Sequence, residues 1–117
     1  MYASRAAYEE GHIPGAAQLD PESDLAAAGS DPAVGGRHPL PAEDQLEDAF
    51  ARVGIERFST VLAIDDGTGW AARCWWLLRH VGHDRAATFD LRSYVGPLTG
   101  TPLAPRRGHF RARPRTD

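Results

Sequence analysis

The feature that most constrains this chain is a short apolar run, Thr60-Val61-Leu62-Ala63-Ile64. It is followed at once by Asp65-Asp66-Gly67-Thr68-Gly69 and then by a stretch dense in tryptophan and leucine. The run is apolar throughout and rich in β-branched residues, so it predicts a strand. No polar residue alternates within it, which predicts a parallel strand covered on both faces. Residues 70–81 predict a helix ended by Gly82. Ala71, Cys74, Trp75 and Leu78 share one face and Trp76 and Leu77 widen the apolar surface, so the helix is expected to be mostly buried. A second, weaker strand is predicted over residues 86–89. Strand, loop, helix and strand in this order make a right-handed βαβ unit.

The flanking sequence adds less. Ser4 caps a predicted short helix over residues 5–10, ended by Gly11, and His12-Ile13-Pro14-Gly15 reads as a tight turn. Residues 16–19 suit a short extended segment, and residues 20–39 a loop with at most one helical turn over 24–28. Leu40-Pro41 opens a further helix, with Glu43 and Asp44 complementing the positive end of its dipole. Leu46, Phe50 and Val53 form its i, i+4, i+7 stripe, and Gly54 stops it. After Asp90 the pattern is weak apart from a short helical turn over 92–95. Two αβ units with short parallel strands predict an α/β domain. Two or three strands alone leave unpaired edges and a thin core, so on physics alone the chain reads as part of a domain, or as a domain lacking an element.

With 117 residues, 42% hydrophobic and 25% charged, the composition suits one small globular domain. All thirteen basic residues are arginine, and the net charge of −3 is unevenly spread. Residues 105–117 hold five arginines and one aspartate, against a body of −7. Such a tail can bind nucleic acid, but Pro105, Gly108 and Pro114 and the lack of any period favour a solvated linker or terminus. A single cysteine excludes an intramolecular disulfide and a Cys-rich zinc site. No apolar stretch reaches membrane-spanning length, and no secretory leader is evident, so a soluble cytoplasmic protein is expected.

In an open α/β sheet ligands bind beyond the carboxyl ends of the strands. Here that place is the loop at residues 65–69, where backbone N–H groups and a helix dipole favour an anion. A cysteine at the head of this loop would have a lowered thiol pKa and act as a nucleophile. The chain has Asp65 instead, which accepts the same N–H bonds but carries no sulfane sulfur. Asp66, Gly67, Thr68 and Gly69 are the candidate anion-binding residues; helix capping and loop closure are the other reading of Asp65, Asp66 and Thr68. Cys74 lies further along the helix and reads as an inert small hydrophobe. His80-x-x-His83-Asp84 is a weak zinc signal, since Gly82 ends the helix between the histidines. Asp65-Asp66 as a Mg²⁺ site lacks a lysine to neutralise phosphate. No dinucleotide fingerprint or P-loop is present, and neither a metal nor a cofactor is expected.

Tyr8-Glu9-Glu10-Gly11-His12-Ile13-Pro14-Gly15-Ala16 resembles the rhodanese family, whose domains carry an acidic helix followed by a His-Ile-Pro-Gly-Ala turn. Three further segments support the resemblance. Gly35-Gly36-Arg37-His38-Pro39-Leu40-Pro41 is similar to the loop before the family's second helix. Residues 61–73 with Trp75-Trp76-Leu77-Leu78-Arg79 are similar to its strand, active-site loop and helix. Gly108-His109-Phe110-Arg111-Ala112-Arg113 resembles the linker between the halves of thiosulfate and 3-mercaptopyruvate sulfurtransferases. The resemblance implies a rhodanese-like three-layer α/β domain with a small, mostly parallel sheet. It implies a domain over residues 1–104 that lacks the family's first strand, and an Arg-rich interdomain linker or tail over 105–117.

The implied reaction is sulfane sulfur transfer through a loop cysteine that becomes a persulfide. In two-domain members that cysteine lies in the C-terminal half, and the N-terminal half carries an aspartate, which Asp65 matches. His12 matches a histidine proposed to assist proton transfer in mercaptopyruvate-type members; the other reading is that it fixes its turn. Ala3 stands where those members have an aspartate, and Asp90-Leu91-Arg92 replaces an Asp-Gly-Gly turn. The expectation is therefore a sulfurtransferase domain that is inactive alone. Its expected partners are a catalytic rhodanese domain, in cis or in trans, and a small sulfur-containing anion, with no membrane and no nucleic acid. A non-catalytic regulatory or interaction module of the same fold is the alternative.

Overall fold

The computed structural model describes residues 8, 11–19, 24–26, 40–65, 67, 69–101, 103 and 105–113. Their elements run α1 (Glu43–Arg52), β1 (Val61–Asp65), α2 (Trp70–His80), β2 (Ala86–Asp90) and a 3-10 turn (Leu91–Ser93). The predicted helix over 5–10 lies outside the described residues except for helical Tyr8, and the predicted turn over 24–28 is described only over 24–26.

The βαβ unit forms as its sequence predicts. β1 and β2 pair in parallel, with Val61 opposite Ala86 and Asp65 opposite Asp90. α1 begins after Pro41 with Glu43 and Asp44 in its first turn and buries Leu46, Ala49, Phe50 and Ala51. These side chains join Val61 and Ala63 of β1 and Ala71, Cys74, Leu77 and Leu78 of α2 in one core, together with Leu19 and Leu25. On the other face of β1, Ile64 packs with Tyr8, Ile13, Ala16 and Leu91. That second layer is narrow and leaves Leu62 44% exposed, so β1 is not covered on both faces along its whole length.

α2 also differs from its prediction. Trp76 is exposed and stacks on His80, Arg79 lies over the Trp75 ring, and Leu77 is the buried member of the pair Trp76-Leu77. The larger difference is in residues 105–113, where the sequence suggested a solvated segment. Phe110 is 3% exposed and meets Phe50 edge to face, ring centroids 5.4 Å apart. The backbone N–H of Gly108 donates to the Ala51 carbonyl, that of Ala112 to Glu47 and that of Arg113 to the Val81 carbonyl. A Cβ at Gly108 would collide with the Ile55 carbonyl, so only glycine lets the segment lie this close.

Candidate functional site

The carboxyl ends of both strands carry aspartates. Asp65 heads the loop into α2, and its carboxylate turns back over that loop. Oδ1 accepts the N–H groups of Gly67 at 2.6 Å and Gly69 at 3.3 Å, and Oδ2 accepts that of Ala71 at 3.2 Å. Gly67 and Gly69 make this possible with φ of +103° and +86°, a left-handed backbone that L side chains rarely adopt. Gly69 caps α2 without a side chain of its own, so Asp65 supplies the anionic cap from four residues upstream. Of the four candidate anion-binding residues, Gly67 and Gly69 thus have their N–H groups on an internal carboxylate. Asp66 and Thr68 lie outside the described residues.

Asp90, the register partner of Asp65, is held by Arg92. The backbone N–H of Arg92 donates to Oδ1 at 2.9 Å, and its guanidinium donates to Oδ1 at 3.0 Å and Oδ2 at 2.8 Å. Hydrogen bonds from Arg92 lower the Asp90 pKa, and Asp90 in turn raises that of Arg92, with a smaller contribution from Asp65. Asp65, Asp90 and Arg92 line one shallow cleft of about 290 Å³ with Gly67, Gly69 and Thr88. The sequence reading passed over Arg92. The signal available was an Asp-x-Arg spacing at the end of a predicted strand, opposite the Asp65 loop.

His12 is placed elsewhere. It is 1% exposed and does not line this cleft. Its Nδ1 lies 2.8 Å from the Tyr8 carbonyl, which only accepts, so Nδ1 carries the proton. The ring stacks on that of Tyr8 with centroids 3.6 Å apart, and its backbone pairs with Thr99 through two hydrogen bonds. Cys74 is fully buried, and desolvation pushes its thiol pKa up to about 12. His83 is buried with Nε2 donating to the Ser59 carbonyl, while His80 stacks on Trp76, so the two histidines serve separate contacts. Among the described residues no group of three or more His, Cys, Asp or Glu is arranged to hold a metal ion. No described helix is long and apolar enough to cross a membrane.

The sequence profile of the Rhodanese-like domain matches residues 3–93. The chain belongs to the rhodanese family. This rhodanese domain is 39% identical over 108 residues to a probable 3-mercaptopyruvate sulfurtransferase of Pseudomonas aeruginosa, covering 92% of the chain and 37% of the relative. It is 44% identical over 81 residues to a thiosulfate sulfurtransferase of the same organism, covering 68% of the chain and 28% of the relative. It is 31% identical over 118 residues to human 3-mercaptopyruvate sulfurtransferase, covering 94% and 38%. The crystal structure of an Escherichia coli 3-mercaptopyruvate sulfotransferase superposes with a TM-score of 0.77 at 25% identity, over 94% of this chain and 42% of that one. The rhodanese fold is therefore shared, and the chain spans less than two fifths of the length of these curated relatives.

Proposed function

We propose that this rhodanese domain is the non-catalytic, N-terminal half of a two-domain sulfurtransferase of the thiosulfate or 3-mercaptopyruvate type, inactive alone. The observation that carries the reading is the Asp65 carboxylate at the loop head, bonded to three backbone N–H groups where a sulfur-carrying thiolate would have to sit. The chain's one thiol, Cys74, is buried and protonated at neutral pH, so it offers no nucleophile in place of Asp65.

In this reading a catalytic rhodanese domain, in cis or in trans, supplies the cysteine. The attacking thiolate and the persulfide belong to that partner. This chain contributes a wall of the shared site, lined by Asp65, Asp90 and the Arg92 that pairs with Asp90. His12 holds the turn against Tyr8 and Thr99, a role its burial favours over proton transfer to substrate. We assign the protein to the cytoplasm on the expectation from sequence.

A thiosulfate:cyanide assay tests the proposal. No thiocyanate is expected from the chain alone, and activity is expected to rise above that of a catalytic half when the two are mixed. Turnover by the chain alone would defeat the reading. An unchanged rate on mixing would favour the interaction module instead.

A further inference from the structure

A second cleft lies at the opposite end of the sheet. The Val61 N–H donates to the Arg85 carbonyl where both strands begin, and strands of five residues at about 3.3 Å per residue put this end roughly 15 Å from Asp65. The cleft has a volume of about 330 Å³. Arg57 from the turn after α1, Arg85 just before β2, and Arg111 and Arg113 from the docked C-terminal segment line it together. Three separate stretches of sequence bring these arginines to one place, and Phe110 is the anchor that brings the last of them.

The charge there is poorly balanced. The one acid on the lining, Asp84, pairs with Arg79, which does not line the cleft. None of Arg57, Arg85, Arg111 and Arg113 takes part in an ion pair among the described residues. Four arginines against one aspartate give the lining a formal +3 in a chain whose net charge is −3. Like charges on one lining repel one another, and an anion between them relieves that repulsion. Val81, His83 and Phe110 on the same lining are buried, which weakens screening from that side. His109 on the rim is oriented by Glu56 through Nδ1 at 3.0 Å.

We infer that this cleft binds a small oxyanion of the phosphate or sulfate class, free or carried on a small molecule. Guanidinium forks match the paired oxygens of such groups, and a cleft of about 330 Å³ has room for a compact ligand. The site is separate from the Asp65 cleft and independent of the function proposed for it.

The test is calorimetric titration of the full chain with inorganic pyrophosphate, with potassium chloride at matched ionic strength as the control. Saturable binding is expected for pyrophosphate and none for chloride. Arg85→Gln with Arg111→Gln is expected to weaken binding by about ten-fold or more. Arg57→Gln alone serves as a second variant, and the unliganded melting temperature of each reports its folding. No binding, a response equal to that of chloride, or unchanged affinity in folded variants would overturn the inference. A single-stranded oligonucleotide bound at least about ten-fold more tightly than pyrophosphate, and lost in the same variants, would also overturn it in favour of a nucleic-acid surface.

Discussion

Phe50 on α1 and Phe110 in the C-terminal segment meet edge to face at 5.4 Å, and both rings are buried. Phe110 also touches the His83 ring at 5.9 Å, so one side chain closes α1 against the turn after α2. Phe110→Ala is expected to cost about 3 kcal/mol, the usual size of a truncated core aromatic, read as a lower urea midpoint with an unchanged slope.

The cap that Asp65 provides can be measured. Asp65→Ala removes the acceptor of three N–H groups, but Gly67 and Gly69 are exposed and water takes their bonds. The expected loss is about 1 kcal/mol, comparable to deleting a helix N-cap, and chemical denaturation checks it.

Asp65→Cys makes a sharper contrast. A thiol placed among the same N–H groups should have a lowered pKa and react quickly with iodoacetamide at pH 7. Cys74, held at about 12, should stay unlabelled in the native protein and react only on unfolding. Mass spectrometry after timed alkylation distinguishes the two thiols, and rapid native labelling of Cys74 would contradict its placement.

Asp48 bridges the helix and the C-terminal segment, accepting from Arg107 at 2.9 Å and Arg52 at 3.1 Å. Hydrogen bonds from Arg107, then from Arg52, hold its pKa below the ordinary 3.8. A depressed carboxyl pKa adds stability above the unfolded value, and that stability is lost as pH falls through the folded value. Both pairs are largely exposed, so the effect is small, about 0.2–1 kcal/mol. Asp48→Asn should lower the urea midpoint at pH 7 and leave it nearly unchanged at pH 2.

The parts of the fold legible in the sequence are those whose burial has a local period. Leu46 and Phe50 mark α1, and the run into Asp65 marks β1 and the loop. Leu62 misled because its neighbours are apolar, while the layer that would cover it ends at Ile64. Leu25 and Phe110 carried no local signal, since each is a single apolar side chain whose core place is set by distant partners. At the candidate site Asp65 was legible from its position before a helix. The Asp90–Arg92 pair was not, because its importance comes from strand register. His12 was legible as a turn residue, and its stacking on Tyr8 follows from the turn closing.

The long-range ties have a consequence for how the chain is made. The Tyr8 hydroxyl accepts the N–H of Leu103, 95 residues away, and Glu47 accepts that of Ala112, 65 residues away. The βαβ unit can assemble as it leaves the ribosome. Phe50 has its partner only after Phe110 has cleared the exit tunnel, so the helix carrying it stays half-covered until then. A nascent chain halted before that point should remain protease-sensitive around α1, and the segment carrying Phe110 would act as the latch that makes the domain cooperative.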